Sequence, residues 1–127
     1  MRYLLDTHVF LWAVGEPERI PHKALSVLKD PDSQLFFSAA SGWEIAIKHG
    51  LGKLALPDAP EVCIPKFMQI HGMVELPVTL GYTLRVGRLP NHHKDPFDRI
   101  IIAQALFERM TIITYDKQIG RYGARTL

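Results

Sequence analysis

Short apolar runs alternate with stretches of helical periodicity from one end of the chain to the other. The runs at residues 2–5, 34–37, 73–76 and 111–114 read as strands, each short, apolar and bounded by polar or turn-forming residues. Between and beside them, residues 7–14, 22–29, 39–50, 61–71, 79–87 and 95–109 read as helices. The punctuation agrees: Pro17 and Pro21 mark a loop, Gly50 and Gly52 stop the third helix, and residues 54–60 and the His-rich 89–94 are loops. Pro65 falls inside the fourth helical stretch, where it either kinks the helix or marks its start. Strands alternating with helices predict an α/β fold with a mainly parallel sheet covered on both faces, and residues 1–127 read as one domain. Active sites of such folds lie beyond the carboxyl ends of the strands.

Five carboxylates interrupt the apolar pattern. Asp6 ends the first strand, Glu44 sits among Trp43, Ile45 and Ile47, Asp95 and Asp98 open the helix at 95–109, and Asp116 closes the last strand. Charges are costly to desolvate and like charges repel, so acids beside core segments need a cation or a shared proton. Carboxylates gathered from separate segments are one way a protein holds Mg²⁺ or Mn²⁺. Each acid also has a local alternative. Asp6 is placed to cap the helix beginning at Thr7. Glu44 is placed to pair with Lys48 one turn on, for roughly 0.2–0.5 kcal/mol, and Asp116 is placed as a turn residue. Asp95 precedes Pro96, the favoured first helical residue, and reads as an N-cap. Asp98 shares a face with Ile101, Ile102 and Ala105, which makes it the ligand of that pair. What no local alternative explains is that Asp6, Glu44, Asp98 and Asp116 can all reach one end of one sheet.

Composition narrows the partners. A hydrophobic content of 47% with 22% charged residues is that of a folded globular chain. The single cysteine, Cys63, excludes an internal disulfide framework and a multi-cysteine zinc site. It fits a reducing, cytoplasmic setting. Asp6 and His8 break the apolar start, so no signal peptide is read there, and no run approaches the roughly 18 apolar residues of a membrane span. Lys and Arg number 15 against 13 Asp and Glu, and eight of the cations fall between Arg85 and Arg125. A basic surface around an acidic pocket suits a polyanion bound through its backbone. Lys94, Arg99 and Lys117 are the candidate phosphate contacts, giving affinity rather than sequence choice. His92 and His93 either contact phosphate or are solvated. Serine-nucleophile signatures and glycine-rich phosphate loops are missing from the sequence.

The segments Leu4-Leu5-Asp6-Thr7-His8, Ser41-Gly42-Trp43-Glu44-Ile45, Asp95-Pro96-Phe97-Asp98-Arg99 through Ala105, and Thr114-Tyr115-Asp116 resemble the motifs of PIN-domain proteins. Within that family the chain is most similar to VapC-like toxins of bacterial type II toxin–antitoxin pairs. The resemblance runs from the first strand almost to the last residue, with all four motifs in order. It implies a three-layer α/β/α sandwich and an endoribonuclease that needs Mg²⁺ or Mn²⁺ to hydrolyse RNA phosphodiester bonds. It also implies a homodimer and inhibition by a small cognate antitoxin. Position by position, Asp6, Glu44, Asp98 and Asp116 match the four family acids that hold metal and serve catalysis. Thr114 matches a hydroxyl residue that commonly precedes the fourth acid, while Asp95 has no place in the general pattern and is carried as an auxiliary. An RNase H-like nuclease would begin with antiparallel strands, and a receiver domain would need adjacent acids after its first strand. A catalytically silent PIN-fold module that acts by binding protein or RNA is the remaining alternative. Phe10-Leu11-Trp12 and Trp43, close to two of the acids, are either ordinary core or a groove for a partner helix.

Overall fold

Leu4 and Leu5 are adjacent in sequence, point to opposite faces of a strand and are both fully buried, which requires a sheet covered on both sides. Ile112 and Ile113 repeat the pattern one strand away. In the computed structural model, which describes all of residues 1–127, four strands make one wholly parallel sheet in the order β3-β2-β1-β4. They are β1 (Arg2–Leu5), β2 (Gln34–Ser38), β3 (Val74–Leu76) and β4 (Thr111–Ile113). One face carries Leu4 and Ile112 packed with Tyr82, Ile101, Ile102 and Ala105. These come from α5 (Leu80–Val86) and α6 (Pro96–Glu108). The other face carries Leu5, Phe37 and Ile113 with Val9, Phe10, Ala24, Leu28 and Ile45, drawn from α1 (Thr7–Gly15), α2 (His22–Lys29) and α3 (Ala39–Gly50). Phe67 and Met68 of α4 (Pro60–Ile70) pack against the same cluster. The result is the three-layer α/β/α sandwich that the alternation of elements predicts.

Two details depart from the sequence pattern. Pro65 does not start its helix: Pro60 takes the first helical position, where a missing N–H is harmless, and Pro65 lies within α4. The 3₁₀ segments at Pro17–Arg19 and Lys117–Tyr122, of three and six residues, are too short to show a periodicity. The last residues then run beside β4, with the Ile112 N–H donating to the Arg125 carbonyl at 2.8 Å and the Leu127 N–H to the Ile112 carbonyl at 2.9 Å. That pairing covers an edge that would otherwise be open.

A buried polar brace fixes the helices that carry the acids. The Ser38 hydroxyl donates to Gln104 Oε1 at 2.6 Å and accepts the Ala40 N–H at 3.1 Å, capping α3. Gln104, fully buried on α6, donates onward to the Pro77 carbonyl at 3.2 Å. The end of β2 is thereby tied to α3 and α6 at once. No helix is long and apolar enough to cross a membrane.

Candidate metal centre

Asp6 leaves β1 with its N–H still bonded to the Ile113 carbonyl at 3.0 Å. It occupies the N-cap position of α1, yet its side chain caps nothing. Oδ2 instead accepts the Thr114 hydroxyl at 2.7 Å, and Thr114 Oγ1 in turn accepts the Asp116 N–H at 3.1 Å. One threonine at the end of β4 thus orders the acids that follow two adjacent strands. The Thr7 hydroxyl donates to Ser41 Oγ at 2.8 Å in the interior, joining the start of α1 to α3 three residues before Glu44.

Glu44 is 2% exposed. Lys48 Nζ donates to its Oε2 at 2.6 Å, so the i,i+4 pair exists, and that bond raises the Lys48 pKa above its ordinary value. The other oxygen, Oε1, is buried without any partner. A carboxylate oxygen left this way is destabilising unless something electropositive binds it. The local pairing and the role in the pocket are therefore compatible, one oxygen to each.

At the start of α6 the structure shows the expected cap. Asp95 Oδ1 accepts the Phe97 N–H at 2.8 Å and is the helix cap. Asp98 faces the pocket, and its carboxyl is pushed up to about 6, first by burial and then by the charges of Asp95, Asp6 and Glu44, with His93 opposing. Burial and the repulsion of neighbouring acids thus meet on Asp98. For Asp116, burial would push the carboxyl up. The hydrogen bond from His93, the Gln118 N–H at 2.9 Å and the charges of His93 and His8 outweigh it and hold the group below its usual value.

His93 was not singled out by spacing, and it is neither solvated nor free. Its side chain is 10% exposed, its Nε2 lies 2.6 Å from Asp116 Oδ2, and its Nδ1 lies 3.0 Å from the Tyr122 hydroxyl. The His92 N–H donates to the same hydroxyl at 3.0 Å. One ligand atom from each of His93, Asp98 and Asp116 falls within 4.8 Å of the others. The only hint in the sequence was position, two residues before Asp95.

Arg99 requires a correction. Its guanidinium donates to the carbonyls of Pro90 at 2.8 Å and Val86 at 3.0 Å, and more loosely to those of Leu89 and His93 at 3.4 Å. Those donors staple the connection that carries His93, so Arg99 is withdrawn as a phosphate contact. Lys94 and Lys117 are exposed. Lys117 shares with Lys23, Thr114 and Asp116 the wall of a cavity of about 300 Å³. The two tryptophans also separate. Phe10 is core, and Trp12 stacks on Tyr115 with centroids 4.8 Å apart beneath the Arg19 guanidinium. Trp43 is 64% exposed, lies edge-on to Phe97 at 5.2 Å, and lines an apolar groove of about 560 Å³.

The structure brings ligand atoms of His93, Asp98 and Asp116 together, while Asp6 and Glu44 lie outside that group and act on Asp98 through their charge. A buried, unpartnered carboxylate oxygen and a carboxyl raised by burial and by neighbouring acids are compatible with a hard divalent cation.

A family model described as PIN domain matches residues 3–125. Ribonuclease VapC22 of Mycobacterium tuberculosis is 30% identical over 121 residues, covering 91% of this chain and 88% of that protein. Among solved structures, VapBC2 from Rickettsia felis, bound to a DNA fragment from its promoter, superposes with a TM-score of 0.76 at 16% identity. That match covers 100% of this chain and 98% of the other. A toxin–antitoxin complex from Klebsiella pneumoniae gives a TM-score of 0.57 at 18% identity, covering 90% and 86%. At those identities the two structures share the fold.

Proposed function

The chain belongs to the PIN-domain family, and on that basis we propose that it is an endoribonuclease dependent on Mg²⁺ or Mn²⁺ and the toxin of a toxin–antitoxin pair. The observation that carries this reading is the buried, unpartnered oxygen of Glu44, together with Asp98, whose carboxyl is driven to about 6 by burial first and by its acidic neighbours second. The relative named as a ribonuclease and the neighbour named as a toxin–antitoxin complex support the same conclusion.

Asp6, Glu44, Asp98 and Asp116 are the residues that would hold the ion. A divalent ion supplies polarisation of a phosphoryl oxygen and a bound water of lowered pKa. The chain's own groups prepare the place for it. Thr114 fixes one oxygen of Asp6 and Lys48 neutralises one oxygen of Glu44, so in these two acids the other oxygen is left to act, while Asp116 is held on one oxygen by the Gln118 N–H and on the other by His93. Lys94 and Lys117 are proposed to hold the RNA backbone on either side. Attack by water in line with the leaving oxygen needs no 2′-hydroxyl, and the resemblance to the family implies that the 3′ oxygen leaves, giving a 5′-phosphate and a 3′-hydroxyl. A homodimer and a cognate antitoxin, in the cytoplasm, complete the proposal.

The test is RNA cleavage by the purified chain with Mg²⁺ or Mn²⁺, in the presence and absence of EDTA. Cleavage that EDTA abolishes is expected. Metal binding without cleavage would return the silent-module alternative.

A further inference from the structure

We infer that His93 is itself a ligand of the divalent ion, making the centre a mixed carboxylate–imidazole site and not an all-oxygen one. The inference rests on the metal dependence proposed above and goes beyond it by assigning a nitrogen donor. Three observations carry it. Ligand atoms of one ion at about 2.0–2.2 Å lie roughly 3–4.4 Å apart. One ligand atom from each of His93, Asp98 and Asp116 stands within 4.8 Å of the others, and His93 Nε2 is 2.6 Å from Asp116 Oδ2, so small side-chain adjustments would bring the three to that spacing. The imidazole is also held as ligating histidines are, with its remote nitrogen hydrogen-bonded and its ring fixed. Nδ1 faces the hydroxyl of the buried Tyr122, the preceding His92 N–H is bonded to the same hydroxyl, and Arg99 pins the His93 carbonyl and three others of the same connection. A solvated loop histidine needs none of this. Finally, Nε2 and Asp116 Oδ2 are adjacent, 2.6 Å apart, and the Gln118 N–H occupies the other Asp116 oxygen, so this nitrogen and this oxygen are the pair that would face an ion together. The partnerless, buried oxygen of Glu44, a residue near enough for its charge to act on Asp98, is a separate observation that points to a cation.

The competing account is that His93 only positions Asp116 through that hydrogen bond and never touches the ion. The two differ in whether nitrogen is bound to metal. An imidazole ligand also shifts preference away from Mg²⁺ toward Mn²⁺.

The full chain is titrated with Mn²⁺ alone, binding is followed by continuous-wave electron paramagnetic resonance, and ¹⁴N coupling is read by electron spin-echo envelope modulation. The wild type should show ¹⁴N modulation, lost in His93→Asn and kept in His8→Asn. His93→Asn should weaken Mn²⁺ binding by about tenfold or more and Mg²⁺ binding by less, measured by calorimetry. Bound Mn²⁺ without ¹⁴N modulation, modulation that survives His93→Asn, modulation lost in His8→Asn, or no Mn²⁺ binding would each overturn the inference. If His93→Asn does not fold, the wild-type and His8→Asn spectra decide alone. Nitrogen coupling without RNA cleavage would sink the ribonuclease proposal and leave this one standing, and cleavage without coupling would do the reverse.

Discussion

Replacing Asp98 by Asn should stabilise the metal-free protein while removing its activity. In the folded chain the Asp98 carboxyl sits at about 6 against an ordinary 3.8, chiefly through burial and then through the charges of Asp95, Asp6 and Glu44. At full weight such a difference makes the ionised folded state worse by about 3 kcal/mol. The group is only partly buried, and solvent screening brings the figure to roughly 1–2 kcal/mol. The sign follows from proton binding. Below 3.8 the carboxyl is neutral in both folded and unfolded chains, and its contribution is fully present. That contribution is lost as pH rises through about 6, so the wild type carries the penalty at neutral pH. Asn keeps the shape without the charge. Thermal unfolding in EDTA at pH 7.5 should therefore show Asp98→Asn melting higher by roughly 3–10 °C for a chain of this size. Most of that advantage should vanish at pH 4. A variant that melts at or below the wild type at pH 7.5, or by the same increment at both pH values, would refute the view that Asp98 is a strained ligand and favour a structural role.

Two further predictions separate positioning from binding. Thr114→Val removes the donor to Asp6 and the acceptor for the Asp116 N–H. It should destabilise the fold by about 1–3 kcal/mol in urea unfolding and lower cleavage more than tenfold, with Thr114→Ser restoring most of both. Arg99→Ala should destabilise the fold by a similar amount and leave the salt dependence of RNA affinity unchanged. Lys117→Ala should leave stability unchanged and reduce the slope of log affinity against log salt by about 1; equal slopes for the two variants would contradict the roles given to them.

Much of this site was legible because its signals are local. Asp6 and Asp116 follow apolar runs too short to be anything but strands, and parallel pairing of β1 with β4 then brings their ends together. Pro96 fixed the start of α6 and so separated Asp95, the cap, from Asp98, one turn in on the buried face. His93 was not legible, because its environment comes from Tyr122, 29 residues away in a 3₁₀ turn that leaves no periodic trace. Arg99 misled for a related reason. A guanidinium beside an acidic pocket suits phosphate, and nothing in the sequence shows that the α5–α6 connection turns its carbonyls toward it. The tryptophans divided on tertiary grounds alone, Trp12 covered by Tyr115 and Arg19, and Trp43 left open beside Phe97.

The central claim is that the four-acid pocket hydrolyses RNA by water attack with a bound divalent ion. Its most direct test is to incubate the wild type and Asp98→Asn with a randomised RNA pool in Mn²⁺ and sequence the new ends by a ligation that requires a 5′-phosphate. The account predicts new 5′-phosphate ends from the wild type, none from Asp98→Asn or in EDTA, and continued cleavage when the nucleotide at the preferred site is 2′-deoxy. New ends that carry a 5′-hydroxyl opposite a 2′,3′-cyclic phosphate, and that vanish with the 2′-deoxy substrate, would contradict it.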